Sequence, residues 1–120
     1  MVSRKTVLVV DDDPDVREAI ADALDAAGYR VRQAVHGKDA LAQLQTMSAE
    51  PCLVLLDMMM PEMNGNEFLA ALEESWQLGS LPVVVLSAEA INPGEARRLF
   101  RKPVSLETLL RVVEEYCGTP

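Results

Sequence analysis

Five residues with acidic, hydroxyl or amine side chains stand at the ends of four predicted strands. Each of these strands is short, and three of them are unbroken apolar runs, as is typical of strands buried on both faces of a parallel sheet. The residues at their ends are Asp11 and Asp12, Asp57, Ser87 and Lys102. Because the carboxyl ends of parallel strands meet at one edge of a sheet, we expect these side chains to converge there.

Three aspartates at one point of a protein repel one another, and their desolvation is costly unless a cation joins them. The candidate ligands are all oxygens, and His36 is the only histidine of the chain. This ligand set favours a hard ion that keeps several waters, which indicates Mg²⁺ rather than zinc. A lysine and a hydroxyl beside a metal-bound carboxylate could stabilise an incoming phosphoryl group.

A single aspartate at a strand end is more often a helix cap or a turn residue than part of a site. Asp13 is predicted to be such a cap, because Pro14 follows it and suits the first turn of a helix. The joint occurrence of an acidic pair, an aspartate, a serine and a lysine at four separate strand ends is much harder to produce by chance.

The elements that position these residues alternate between strand and helix. Strands are predicted at 6–10, 29–34, 52–57, 81–87 and 99–101, and helices at about 14–27, 38–46, 65–75 and 106–116. The pattern predicts an α/β fold, a doubly wound five-stranded parallel sheet with helices on both faces. The second strand alternates polar and apolar residues, which favours an edge position and the order 2-1-3-4-5. We expect one domain over residues 1–120, without repeats or linkers.

The segment between the fourth and fifth strands is too short for an ordinary connecting helix. It contains Asn92, Pro93 and Gly94, and a proline inside a helix costs about 3 kcal/mol or more. The helix that would be the fourth along the chain is therefore predicted to be truncated or absent.

Composition limits the classes of partner. The chain has 19 acidic and 11 basic residues and a formal charge of −8, which argues against binding to nucleic acid. The basic cluster Arg97, Arg98, Arg101 and Lys102 is too small to favour nucleic acid, and its three arginines are better explained as protection of an exposed edge strand. No apolar run approaches the length of a membrane span, and we expect a cytoplasmic protein without a signal peptide.

Cys52 and Cys117 have no metal-binding spacing, so both are predicted to be reduced core residues.

The strand-end motifs together resemble the receiver domain of two-component response regulators, and the resemblance extends over essentially the whole chain. The matching motifs are Val9-Val10-Asp11-Asp12-Asp13, the phosphoacceptor segment from Leu56 to Gly65 with its D-x-x-M-P pattern, Ser87-Ala88 and Lys102-Pro103. The resemblance also implies a cis peptide bond between Lys102 and Pro103.

The resemblance implies a role for each site residue. Asp57 would be the nucleophile that takes a phosphoryl group from a histidine kinase or a phosphotransfer protein. Asp12 and Asp57 would ligate Mg²⁺ directly, Asp11 partly through water, and the Met59 carbonyl would complete the protein ligands. Lys102 would hold the phosphoryl group, and Ser87 would report its arrival to an unidentified downstream protein. Apart from Mg²⁺-dependent self-phosphorylation and slow acyl-phosphate hydrolysis, no enzymatic activity is implied.

Leu99 departs from the family pattern, because this position is usually aromatic in receivers. Phe100 is its neighbour on the opposite face of the predicted strand.

Three alternatives remain open. A pseudo-receiver would keep the fold and signal without phosphate. A haloacid-dehalogenase-type enzyme also has an aspartate nucleophile, but it needs a second aspartate where this chain has Met59. A flavodoxin-like FMN carrier is disfavoured because Asp11, Asp12 and Asp13 would repel its phosphate.

Overall fold

The computed structural model describes residues 5–57, 65–74, 81–87 and 98–120. These residues form five strands and four helices. In chain order the elements are β1 (Thr6–Val10), α1 (Pro14–Ala26), β2 (Arg30–Ala34), α2 (Gly37–Thr46), β3 (Leu53–Asp57), α3 (Gly65–Glu74), β4 (Val83–Ser87), β5 (Arg98–Arg101) and α4 (Leu106–Cys117).

The five strands form one parallel sheet in the order β2-β1-β3-β4-β5, which confirms the predicted topology. The register aligns the strand ends that carry the polar residues. Val10 pairs with Leu56, so the residues that follow β1 lie beside Asp57. Ser87 pairs with Arg101, so Lys102 follows β5 one residue beyond the end of β4. All the predicted site residues that are described therefore come to the same edge of the sheet.

Each face of the sheet carries its own apolar core, because successive side chains of a strand point to opposite faces. On one face the core includes Leu8, Val54, Leu56 and Val85 with Leu44, Phe68 and Leu72 from α2 and α3. On the other face it includes Val7, Val9, Leu55 and Val84 with Ile20, Leu24, Leu109 and Val113 from α1 and α4. Burial of each Leu, Val or Phe side chain contributes about 1.5–3 kcal/mol. The two cores hold the helices on the sheet, and they thereby hold the strands whose carboxyl ends carry the polar residues.

Helix α4 packs on the sheet with a face that only partly matches its apolar pattern. The apolar spacing of Leu106, Leu109, Leu110, Val113 and Tyr116 predicts one buried stripe, but the buried residues are Leu109, Val112, Val113 and Cys117. Leu106 is 42% exposed and Tyr116 is 37% exposed. The helix is rotated so that Cys117 in its last turn faces the core, and Tyr116 lies outward beside Arg98.

The two cysteines were predicted to be reduced core residues, and this prediction was wrong. Cys52 and Cys117 form a disulfide bond. The residue before β3 and the last residue of α4 meet with their Cα atoms 5.4 Å apart, within the range that a disulfide requires. Their sequence separation of 65 residues gave no local indication of this pairing.

The predicted truncation of the helix between β4 and β5 concerns residues 88–97, which lie outside the described part of the chain. In the described ranges, no helix is long and apolar enough to cross a lipid bilayer.

Candidate functional site

Three carboxylates crowd together at the carboxyl edge of the sheet. Asp11, Asp12 and Asp57 each place an oxygen within 4.8 Å of the others. Asp11 is 2% exposed and Asp57 is 5% exposed, whereas Asp12 faces solvent. Two largely buried carboxylates this close repel strongly, because little water screens their charges. Cations beside the cluster would reduce this repulsion.

Lys102 supplies one of these cations. Its Nζ atom lies 3.3 Å from Asp57 Oδ1 and 3.6 Å from Asp11 Oδ2. The lysine is directed into the site by the sheet, because its backbone N–H donates a 2.7 Å hydrogen bond to the Ser87 carbonyl beyond the end of β5. The Lys102–Pro103 peptide bond is cis, which confirms the expectation from the sequence.

Backbone and side-chain contacts hold Asp11 in place on several sides. Its Oδ1 atom accepts a 2.9 Å hydrogen bond from the Asp13 N–H, and its N–H donates to the Ala34 carbonyl at 3.2 Å. Its own carbonyl accepts a 3.0 Å hydrogen bond from Arg17 Nη1. The second carboxylate oxygen, Oδ2, is buried and accepts no hydrogen bond from the described residues. This oxygen is therefore oriented towards the centre of the site with unused capacity to bind a cation.

Asp13 begins helix α1 instead of joining the cluster. Its Oδ1 atom accepts hydrogen bonds from the N–H groups of Asp15 at 3.0 Å and Val16 at 3.4 Å, and Pro14 is the first residue of the helix. The predicted cap is thereby confirmed. The cap turns the chain sharply after β1, so Asp11 points inward while Asp12 remains exposed.

Ser87 ends β4 in a fully buried position, with 0% exposure. Asp57 pairs with Leu86 on the neighbouring strand, so Ser87 lies one residue beyond this pair at the same edge. The Met59 carbonyl, the remaining predicted ligand, lies outside the described residues.

The donor set fits a hard divalent cation. The three carboxylates carry more negative charge than Lys102 and Arg17 supply in positive charge. All the side-chain donors are oxygens, and one of them is the buried Asp11 Oδ2. Mg²⁺ prefers carboxylate oxygens and water, so the residues present could hold it.

Arg17 is a site residue that the sequence analysis missed. Besides its bond to the Asp11 carbonyl, its Nε atom donates a 3.0 Å hydrogen bond to Gln33 Oε1. It thus links the loop after β1 to the edge strand β2. The only available indication was its position one helical turn after the cap Asp13, which directs its side chain back towards the loop.

An apolar cleft of about 560 Å³ lies beside Lys102, between α1 and the start of α4. It is lined by Asp15, Val16, Ala19, Ile20, Leu86, Lys102, Pro103, Val104, Leu106 and Leu109. The exposed Leu106 side chain belongs to its rim.

Residues on the two faces of β5 differ as expected. Leu99 packs against the core that contains α2 and α3, and Phe100 packs against the core that contains α1 and α4. The position that is usually aromatic in receivers therefore carries an aliphatic side chain on its face of the strand.

The model of the response regulator receiver domain matches residues 7–114. An uncharacterized 14.6 kDa protein of Leptolyngbya boryana is 33% identical over 123 residues, covering 97% of this chain and 92% of that protein. Response regulator Rre1 of Synechocystis is 39% identical over 88 residues, covering 72% of this chain but only 37% of that protein. The solved structure of the Vibrio cholerae chemotaxis protein CheY4 has a TM-score of 0.83 and 30% identity, covering 95% of this chain and 99% of that one.

These similarities agree with the observed sheet order. The match to the family model covers most of the chain, including every described residue of the candidate site. The chain belongs to the response regulator receiver family.

Proposed function

We propose that this receiver accepts a phosphoryl group on Asp57 and thereby switches a surface that a downstream protein recognises. The observation that carries the proposal is the contact between Lys102 Nζ and Asp57 Oδ1 at 3.3 Å, beside two further carboxylates. This arrangement provides a nucleophilic carboxylate, a counter-charge for the incoming group and a set of oxygen ligands for a cation.

In the proposed reaction an Asp57 carboxylate oxygen attacks the phosphorus of a phosphodonor in line with the leaving group. The new bond joins that oxygen to phosphorus, and the bond from phosphorus to the donor breaks. Asp57 is 5% exposed at the end of β3, so little water competes for the donor. Lys102 can transfer its hydrogen bond from Asp57 to the phosphoryl oxygens, where it neutralises part of their charge.

Mg²⁺, held by Asp11, Asp12 and Asp57 and by the Met59 carbonyl, would supply the remaining neutralisation of charge during the transfer. The buried Asp11 Oδ2 supports this assignment, because it otherwise accepts no hydrogen bond from the described residues. Asp11 accepts hydrogen bonds from the Asp13 N–H and from Arg17, and these bonds keep it in a fixed orientation for this role.

Ser87 is the residue through which we expect the phosphate to act on the rest of the domain. Its hydroxyl can donate to a phosphoryl oxygen, and this bond would couple the phosphate to the end of β4. Leu99 replaces the usual aromatic residue, so we expect a switch that works without reorientation of an aromatic ring at this position.

The partners follow from the same proposal. The phosphodonor would be a sensor histidine kinase or a phosphotransfer protein, and the target would be another protein in the cytoplasm. A formal charge of −8 disfavours direct contact with nucleic acid. We propose that residues 1–120 act as one receiver domain whose only chemistry is self-phosphorylation and slow hydrolysis of the acyl phosphate.

The experiment that tests this proposal is intact-mass measurement after incubation with acetyl phosphate and Mg²⁺. We expect one added phosphoryl group on the wild-type protein and none on Asp57→Asn. Asp13→Asn is the matched control, since it removes a neighbouring carboxylate that caps α1, and it should still be labelled. Absence of label on folded wild-type protein would favour the alternative of a pseudo-receiver, and label on Asp57→Asn would place the acceptor elsewhere.

A further inference from the structure

We propose that Cys52 and Cys117 are a reversible thiol–disulfide modification site, oxidised by low-molecular-weight disulfides and reduced by dithiols. The site determines how firmly the end of α4 is held on the sheet. It is independent of phosphorylation, because it lies at the opposite end of β3 from Asp57.

The two cysteines join separate elements of the fold. Cys52 directly precedes β3, and Cys117 is the last residue of α4. Their disulfide joins two residues that are 65 positions apart in the sequence, and it links the end of the helix to the start of a central strand. A bond of this kind restricts the opening of α4 away from its core.

The reduced state also has a place in the structure, which argues for a reversible site. Cys52 Sγ lies 3.2 Å from the Thr6 carbonyl, so a reduced thiol could donate a weak hydrogen bond there. Cys117 belongs to the apolar core with Leu109 and Val113. A free cysteine behaves as a small apolar residue in such surroundings. Each sulfur therefore has surroundings that suit a thiol once the two sulfurs have moved apart to van der Waals distance.

Two contacts hold the chain after α4 without the disulfide. The Tyr29 hydroxyl donates a 2.7 Å hydrogen bond to the Gly118 carbonyl. Pro120 lies close against Gly28, where an added Cβ would come within 3.1 Å of its ring. We therefore expect reduction to loosen the end of α4 and leave the domain folded.

The difference in exposure between the two cysteine residues suggests the order of the chemistry. Cys52 is half-buried, whereas Cys117 is 3% exposed. The Cys52 thiolate attacks a small disulfide, forms a mixed disulfide and releases one thiolate of the oxidant. The Cys117 thiol then loses its proton and attacks Cys52 Sγ, which releases the second thiolate. Two protein thiols are oxidised as one small disulfide is reduced to two thiols.

The test uses the full chain reduced with dithiothreitol, then exposed to oxidised glutathione, alkylated and weighed intact. We expect loss of both alkylation sites, a monomeric product and full recovery of both sites with dithiothreitol. The melting temperature of the oxidised form should exceed that of the reduced form by roughly 5 to 15 °C. Backbone amide hydrogen exchange at the end of α4 should be slower in the oxidised form than in the reduced form.

The double variant Cys52→Ala, Cys117→Ala is the control, and its melting temperature should not respond to either reagent. If this variant does not fold, the measurements on the wild-type protein decide. Both thiols still alkylated after oxidation, a disulfide between two chains, or glutathione retained on Cys52 would overturn the proposal. Equal melting temperatures of the two forms would overturn the proposed effect on α4.

Discussion

Lys102 Nζ lies 3.3 Å from Asp57 Oδ1, so the ends of β5 and β3 are joined by an ion pair across the site. Asp57 is almost fully buried, while the lysine side chain is 30% exposed. The lysine therefore borders solvent, whereas the carboxylate is enclosed at the end of its strand. A cation on the solvent side of a buried carboxylate can compensate the carboxylate charge at rest and can also contact a phosphoryl group that is added to it.

Lys102→Met should lower the stability of the metal-free protein by about 1–3 kcal/mol, because it leaves two buried carboxylates without their counter-charge. Urea unfolding without divalent ions measures this loss. Lys38→Met is the control, since Lys38 is exposed on α2 and its replacement should change stability by less than about 0.5 kcal/mol. Equal effects of the two substitutions would show that the ion pair contributes nothing.

Asp12→Asn should raise the melting temperature of the metal-free protein and reduce the further rise that millimolar Mg²⁺ causes. The first effect follows from removing one charge from three crowded carboxylates, and the second from losing a ligand. Thermal unfolding with and without Mg²⁺ measures both. An unchanged response to Mg²⁺ in this variant would exclude Asp12 from the metal site.

Asp13→Ala should cost about 1 kcal/mol of stability, since it removes the acceptor for the N–H groups of Asp15 and Val16 at the start of α1. The response to Mg²⁺ should persist, because Asp13 is a cap and is not a member of the cluster. Asp13→Ser should recover most of the lost stability. A lost Mg²⁺ response in Asp13→Ala would show that the cap and the metal site are coupled.

Tyr29 makes a contribution to stability that depends on pH. Burial, and secondarily the negative charge of Glu114, raise the pKa of Tyr29 above its ordinary value. A group with a raised folded-state pKa contributes stability below its unfolded pKa of about 10, and this stability is lost as the pH rises through the folded value. Tyr29→Phe should be less stable than the wild type by about 1 kcal/mol at pH 7, because it lacks the hydrogen bond to the Gly118 carbonyl.

The difference in stability between wild type and Tyr29→Phe should therefore shrink from about pH 10 upwards. Urea unfolding at several pH values between 8 and 11 measures it. A difference that is constant over this range would contradict the assignment of the raised pKa to Tyr29.

The sequence predicted those features that depend on local pattern and strand order. Unbroken apolar runs identified β1, β3 and β4, and their carboxyl ends placed Asp11, Asp57 and Ser87 at one edge. Alternation in β2 identified it as an edge strand. These inferences succeeded because parallel strands impose a common direction on the residues that follow them.

Features that depend on distant packing were not predicted. The Cys52–Cys117 bond requires the start of β3 and the end of α4 to meet, which no spacing encodes. The face that α4 buries was not predicted either, because an apolar stripe at helical spacing does not specify which of its edges faces the sheet. Arg17 was not predicted as a site residue because it binds the backbone carbonyl of Asp11. Every residue has such a carbonyl, so the sequence does not indicate which one a side chain will bind.

The central claim, that Asp57 is the phosphoacceptor, is tested most directly by trapping the acyl phosphate chemically. Protein incubated with acetyl phosphate and Mg²⁺ is reduced with borohydride, which converts a phosphorylated aspartate to homoserine, and the peptides are sequenced by mass spectrometry. We expect homoserine at position 57 only, and none when Mg²⁺ or acetyl phosphate is omitted. Homoserine at position 11 or 12, or at no position in a folded and Mg²⁺-responsive protein, would contradict the account.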